Sequence, residues 1–417
     1  MRYLSLFDII SVLLVLTAVF AWFNHAVLKL PNTIGLLVMA VATSLALICV
    51  ELAFPALGLY DDAATLMRQV DFEETVLNWL LGFLLFAGAL HVDFAAMKSR
   101  LWPIAVMATV GVLISTALIG AGFWGLARLF HIEMPFAWAL VFGALISPTD
   151  PVAVLSTLKK ISVPQPLEAL MTGESLFNDG VGVVLFTALL ASASHSAIET
   201  FDVLQAGELF LVEAVGGGVL GLFTGYVAYR AMRAIDDYPV EVMISLALVT
   251  GTYALATKLH MSGPIAVVVA GILIGTRGPV DALSDQTQRF MFGFWTLIDE
   301  ILNSVLFLLV GLEVLVLRFD VTFVGLALSA IPLALVVRFL AVGLPVTALR
   351  LVMGLEAGTV RILTWAGLRG GISIALALAL PESETKTVIL AATYSVVLFT
   401  IIMQGLTLAP LVKRILK

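Results

Sequence analysis

The sequence predicts an all-α polytopic membrane protein, and three observations carry that expectation. Hydrophobic residues make up 61% of the 417-residue chain, against roughly 45–50% in soluble proteins. Charged residues are only 12%, about half the usual share. The 22 basic and 29 acidic side chains are too few to cover a water-soluble body of this size. Apolar runs near the ~20 residues that a bilayer demands recur from one end to the other. These features exclude a nucleic-acid binder, a disulfide-rich secreted module and most cytosolic enzymes. The lone Cys49 cannot form an internal disulfide.

Cutting at charged, Pro-rich and polar breaks gives about thirteen spans. They are 5–28, 31–54, 75–96, 101–129, 135–158, 165–194, 207–233, 239–258, a short 262–276, 290–316, 321–349, 359–381 and 387–411. Asp8, the span's length and the lack of a small-residue cleavage site mark the first as a retained helix rather than a signal peptide. No linker or soluble domain interrupts the array, and the last span is followed by a handful of residues, so residues 1–417 are expected to form one membrane domain.

The basic residues orient this array. Lys29, Lys98, Arg100, Lys159, Lys160, Arg230, Arg233, Arg277, Arg289, Arg350, Arg361, Lys413, Arg414 and Lys417 fall on one side. Arg2, Arg68, Arg128, Lys258, Arg318 and Lys386 fall on the other. The positive-inside rule then puts the N-terminus outside and the C-terminus in the cytoplasm. The acidic loops around Asp61, Asp62, Asp71, Glu73 and Glu199, Asp202, Glu208 lie outside, and Glu51, Glu213 and Glu313 fall near outer span ends where they can reach water. Two arginines are left over, Arg338 and Arg369, both deep inside spans.

Ionised groups at mid-membrane cost roughly 2.5–3.5 kcal/mol each on insertion scales, so each needs a partner, water or a function. Besides the two arginines they are Asp150, Glu174, Asp179, Asp299 and Glu300. Asp150 stands in Ser147-Pro148-Thr149-Asp150-Pro151, where two prolines remove two backbone donors and unwind the fifth span. An unwound segment at this depth lines a cavity or is buried; freed carbonyls and the Thr149 oxygens are hard ligands suited to alkali cations. The competing reading is a proline kink with an aspartate capping the second half-helix. On the sixth span Glu174, Ser175, Asn178 and Asp179 share an arc of roughly 140°, a face for ions or a polar packing seam. Gly173, Gly180 and Gly182 let a neighbour approach it. On the twelfth, Gly367-Leu368-Arg369-Gly370-Gly371 weakens the helix around one arginine. Arg338 reads equally well as a structural partner of Asp299 or Glu300 and as part of a transport path.

The broken spans are numbers five and twelve. Two six-helix repeats, approximately 5–194 and 239–411 with 207–233 as linker, would place them in equivalent, inverted positions. Paired interrupted helices of this kind point to a transporter's midplane site. The five histidines lie near span ends without metal-ligand spacing. Gly216-Gly217-Gly218 suggests close helix packing rather than a site.

Four segments in order are Ser147-Pro148-Thr149-Asp150-Pro151-Val152-Ala153-Val154, Gly173-Glu174-Ser175-Leu176-Phe177-Asn178-Asp179-Gly180, Asn303-Ser304-Val305-Leu306-Phe307 and Gly367-Leu368-Arg369-Gly370-Gly371. With them the chain resembles the monovalent cation–proton antiporters of the sodium/proton exchanger family, in particular the bacterial NhaP-type members, over essentially its whole length. The resemblance implies thirteen helices, a dimerisation bundle and a six-helix core with crossed broken helices. It implies a homodimer in a bacterial inner membrane and no cofactor, with a monovalent cation and the proton as transported partners. It implies that Asp179 binds Na+ or a proton, with Asp150, Thr149 and Ser175 completing the site. Glu174 and Arg369 would form the buried core ion pair, and Asn178 would occupy the position that accompanies electroneutral exchange. Asp299-Glu300 departs from the recognised pattern.

A carboxylate with little water around it is neutralised by a proton or by a cation, not both, and that exclusion couples the two fluxes. The expected function is Na+ (or Li+)/H+ exchange, 1:1, by alternating access. K+/H+ exchange on the same fold, a cation channel, and an intramembrane hydrolase built on an Asp150–Asp179 dyad remain as alternatives.

Overall fold

The computed structural model describes residues 6–55, 60, 63–64, 67, 72, 75–92, 94–98, 100–150, 154, 163–195, 203–316, 321–353 and 358–415. Pro151, Val152, Ala153, Lys159 and Lys160 lie outside these residues. So do Arg2, Arg68, Arg318, Lys417, Asp61, Asp62, Asp71, Glu73, Glu199 and Asp202, and the side chains of Glu208, Arg350 and His195.

Among the described residues every regular element is helical. In chain order they are α1 (Phe7–Leu28), α2 (Asn32–Ala53), α3 (Thr75–Leu90), α4 (Leu101–Leu129), α5 (Phe136–Ile146), α6 (Gln165–His195), α7 (Val203–Met232), α8 (Tyr238–Lys258), α9 (Gly263–Asp281), α10 (Asp285–Leu312), α11 (Val321–Met353), α12 (Thr359–Trp365), α13 (Gly371–Leu378) and α14 (Glu384–Ile415). A five-residue helix, Phe94–Lys98, stands between α3 and α4. Nine of these helices are long and apolar enough to cross a membrane; α3 and α5 are shorter apolar helices.

Starts and stops follow local chemistry. Asp237, Ser262, Ser284 and Ser383 cap α8, α9, α10 and α14 by accepting from backbone N–H groups three residues on. His131 (φ 58°) and His260 (φ 56°) take the left-handed conformation after α4 and α8. There Ile132 N and Met261 N reach back to the carbonyls of Ala127 and Ala256 and close the helix ends. The ninth helix runs on to Asp281, beyond the expected 276, and the tenth begins at Asp285 rather than 290. Arg277 and Asp285 ride on helix ends there, so charge alone misplaced both boundaries.

Mutual packing sorts the helices into two groups. In the first, α2 lies against α10, α3 against α9 and α10, and α7 against α8 and α9. Trp295 of α10 is fully buried against Phe86 of α3, ring centroids 4.7 Å apart, and donates to Ser245 Oγ of α8 at 2.9 Å. In the second, α4 packs on α5 and α11, α5 on α6, and α14 on α11 and α13. Phe123 and Phe142 stack at 4.1 Å between α4 and α5. On α7, Gly217 and Gly221 face the backbone at and beyond the start of α9, where an added Cβ would run into Ser262 O and Ala266 O respectively. Small residues therefore set that helix contact.

Two features position the site. Regular helix α5 ends at Ile146, and residues 147–150 run on without helical structure after Ser147. The twelfth expected span is two short helices, α12 and α13, separated by residues 366–370.

Candidate functional site

The two interruptions meet. Asp150 N donates to Leu368 O at 2.8 Å, so the backbone of one break is bonded directly to the backbone of the other. Arg369, 1% exposed, extends Nη1 to the carbonyls of Ser147 and Pro148, the latter at 2.9 Å. Those carbonyls lie at the C-terminal end of α5, where the helix dipole is negative, and a guanidinium placed there neutralises it. The Asp150 carboxylate stands beside Gly370, immediately before the first residue of α13. There the dipole is positive. Each break therefore supplies the charge that the other half-helix end requires.

The α5 break is also clipped to α6. Thr149 N donates to Asn178 Oδ1 at 3.2 Å and Asn178 Nδ2 donates to Thr149 Oγ1 at 2.9 Å. Thr149 Oγ1 and Ser175 Oγ share a further bond of 2.9 Å. Both amide atoms of Asn178 are thus engaged with Thr149, which makes this residue a clamp on the break. The second break repeats the device: Arg369 N donates to Thr400 Oγ1 of α14 at 3.1 Å, inside the π-helical turn Thr400–Gln404.

Asp179 stands one residue beyond the clamp and is 5% exposed. Among the described residues no hydrogen-bond donor reaches its carboxylate, and the charge acting on it is that of Asp150. A buried carboxylate without donors depends on a proton or a cation for neutralisation.

The expected pairing of Glu174 with Arg369 is not what the structure shows. Glu174, 2% exposed, is held by Arg338, with Nη1–Oε1 at 2.6 Å and Nη2–Oε2 at 3.1 Å. Arg338 Nη2 also donates to Leu363 O of α12 at 3.3 Å. Arg369 turns its Nη1 to the α5 carbonyls, whereas the planar fork of Arg338 meets the carboxylate bidentately. Asp299 instead accepts from Asn303 Nδ2 one turn along α10, at 3.0 Å, and Glu300 is exposed. Neither pairs with Arg338. Glu313, expected to reach water, is buried at 7% exposure.

A narrow cleft between Met171, Leu363 and Ala366 reaches Ser175 and the Glu174–Arg338 pair, with room for about one water molecule. Among the described residues no three His, Cys, Asp or Glu side chains form a metal cluster. Asp150 and Asp179 bring carboxylates and Thr149 and Ser175 bring hydroxyls to the crossing, oxygen ligands of the type hard cations take. Thr400 does not stand out in the sequence; its one signal is the i,i+4 spacing with Gln404 in a largely apolar run.

Interrupted helices crossing around buried carboxylates are the architecture of secondary transporters. The chain belongs to the sodium/hydrogen exchanger transmembrane family, which it matches over residues 12–414. It is 46% identical over 413 residues to the Na(+)/H(+) antiporter NhaP of Pseudomonas aeruginosa, covering 98% of this chain and 96% of that one. It is 36% identical over 395 residues to the Na(+)/H(+) antiporter NhaH of Halobacillus dabanensis, covering 93% of each. Its fold is similar to that of the sodium proton antiporter MjNhaP1 from Methanocaldococcus jannaschii, with TM-score 0.73, 18% identity and 97% of each chain covered.

Proposed function

We propose that this chain exchanges Na+ or Li+ for H+, one for one, by alternating access, with cation and proton competing for Asp179. The observation that carries the reading is the buried Asp179 carboxylate with no donor among the described residues and Asp150 acting on it. Asp150, Ser175 and the oxygens of Thr149 complete the cation's surroundings, and Asn178 holds Thr149 in place. The charges at the crossing support the stoichiometry. Asp150, Glu174 and Asp179 against Arg338 and Arg369 leave one negative charge. One monovalent cation or one proton cancels it; the unloaded core stays charged and is held back by the bilayer.

The reading extends to topology. Thirteen passes with the N-terminus outside and the C-terminus cytoplasmic follow from the basic loops. Inverted repeats are supported by contacts that exchange under the pairing of α1–α3 with α8–α10: α2 on α10 mirrors α9 on α3, and α1 on α10 mirrors α8 on α3. The group α4–α6 with α11–α14 is the moving core, and the other group is the scaffold of a homodimer in a bacterial inner membrane.

The test uses proteoliposomes with an acid lumen, to which Na+, Li+ or K+ is added outside with the membrane potential clamped. Lumen alkalinisation that vanishes in Asp179→Asn is the expected result. A response to K+ alone reassigns the cation; a flux indifferent to the proton gradient points to a channel.

A further inference from the structure

We propose that Gly370 sets where the Asp150 carboxylate stands and thereby tunes cation preference; this rests on the reading that Asp150 helps to surround the cation. The backbone of Gly370 is extended, φ −107° and ψ −171°, a conformation open to any residue. Its lack of a side chain is therefore not a conformational requirement. The requirement is spatial. A Cβ at this position would stand 2.7 Å from Asp150 Oδ2, 2.8 Å from its Cβ and 3.0 Å from its Cγ.

These are atoms close to the main chain of a short side chain, and they cannot swing aside as the tip of a lysine does. Nor can the backbone yield freely, because Asp150 N is bonded to Leu368 O two residues before Gly370. A turn about χ1 moves the carboxylate but not Cβ, so relief takes a small shift of the Asp150 segment together with that turn, and both carry the carboxylate away from the positive end of α13. Cations of different radius need different ligand separations, so a carboxylate displaced by a few tenths of an ångström weighs unequally on Li+ and Na+. The neighbouring glycines meet other groups: Gly367 lies against Arg338 Nε and Gly371 against the Leu306 side chain of α10. The cluster is thus three separate contacts, of which one reaches a proposed cation ligand.

Apparent KM for Li+ and for Na+ would be measured in proteoliposomes for wild type, Gly370→Ala and Gly371→Ala. The expected result is a shift of at least about threefold in the Li+:Na+ ratio for Gly370→Ala and an unchanged ratio for Gly371→Ala. A fall in turnover common to both cations with the ratio intact overturns the proposal. Melting temperature supplies a readout that survives loss of transport. Gly370→Ala should lower it in the wild-type background and lower it much less in Asp150→Gly, which removes the three nearest atoms the new Cβ meets. An equal penalty in both backgrounds also overturns it. Absence of cation-driven exchange in wild type counts against the function reading alone, since the melting comparison still judges the contact.

Discussion

The two interruptions solve one problem with opposite chemistry. The α5 break uses proline to strip donors from the chain and carries an acid; the break between α12 and α13 uses glycine to admit neighbours and carries a base. Asp150 is half-buried, while Arg369 is 1% exposed. The difference assigns the two charges different work. Arg369 closes off helix carbonyls and is sealed in, a structural duty. Asp150 keeps partial exposure, as the ligand role proposed for it requires.

The comparison is broken most forcefully at its sealed side. Arg369→Gln leaves the Ser147 and Pro148 carbonyls without their cation. A loss of about 3–5 kcal/mol is expected for removing one partner of a buried charged network, read as a marked fall in melting temperature in detergent. Asp150→Asn tests the open side. Because this group is half-buried, its stability effect should be smaller, while apparent Na+ affinity should fall at least about tenfold in the proteoliposome assay. Equal destabilisation by the two variants would erase the distinction.

Glu174→Gln comes next, because it strands Arg338 rather than Arg369. The melting temperature should fall, and Glu174→Gln combined with Arg338→Gln should recover part of the loss, since the stranded charge is gone. No recovery would mean that the pair is not the unit. Competition at Asp179 predicts that apparent KM for Na+ rises about tenfold per pH unit on the acid side, with maximal rate preserved at saturating Na+. A maximal rate that falls with KM constant would exclude simple competition. The smallest effect is expected for Pro148→Ala, within about 1 kcal/mol, because the Asn178 clamp and Arg369 hold that backbone independently of proline's ring.

Composition and periodicity announced the helical membrane class, and the proline and glycine clusters announced both breaks, because those residues act on their own backbone. The polar arc of α6 was legible for the same local reason. The partner of Glu174 was not. Two arginines were available, and the choice turns on which is already occupied by the carbonyls of α5, a fact that exists only once the two breaks cross. The resemblance puts Asn178 at the position that accompanies electroneutral exchange, and the structure adds that its amide holds Thr149; the sequence offers the amide without what it faces. The end of α9 was missed because Arg277 and Pro279 look like a stop, yet the helix continues through both to Asp281.

The bond from Asp150 N to Leu368 O has a mechanical consequence. With Arg369 reaching the Ser147 and Pro148 carbonyls beside it, the end of α5 and the facing ends of α12 and α13 are tied together. A load applied to either arm is delivered to both, so under the proposed function the residues at the crossing would move as one body. The give that alternating access would require then falls on the surrounding walls, among them the contacts of α6 with α7 and α9 and of α10 with α13.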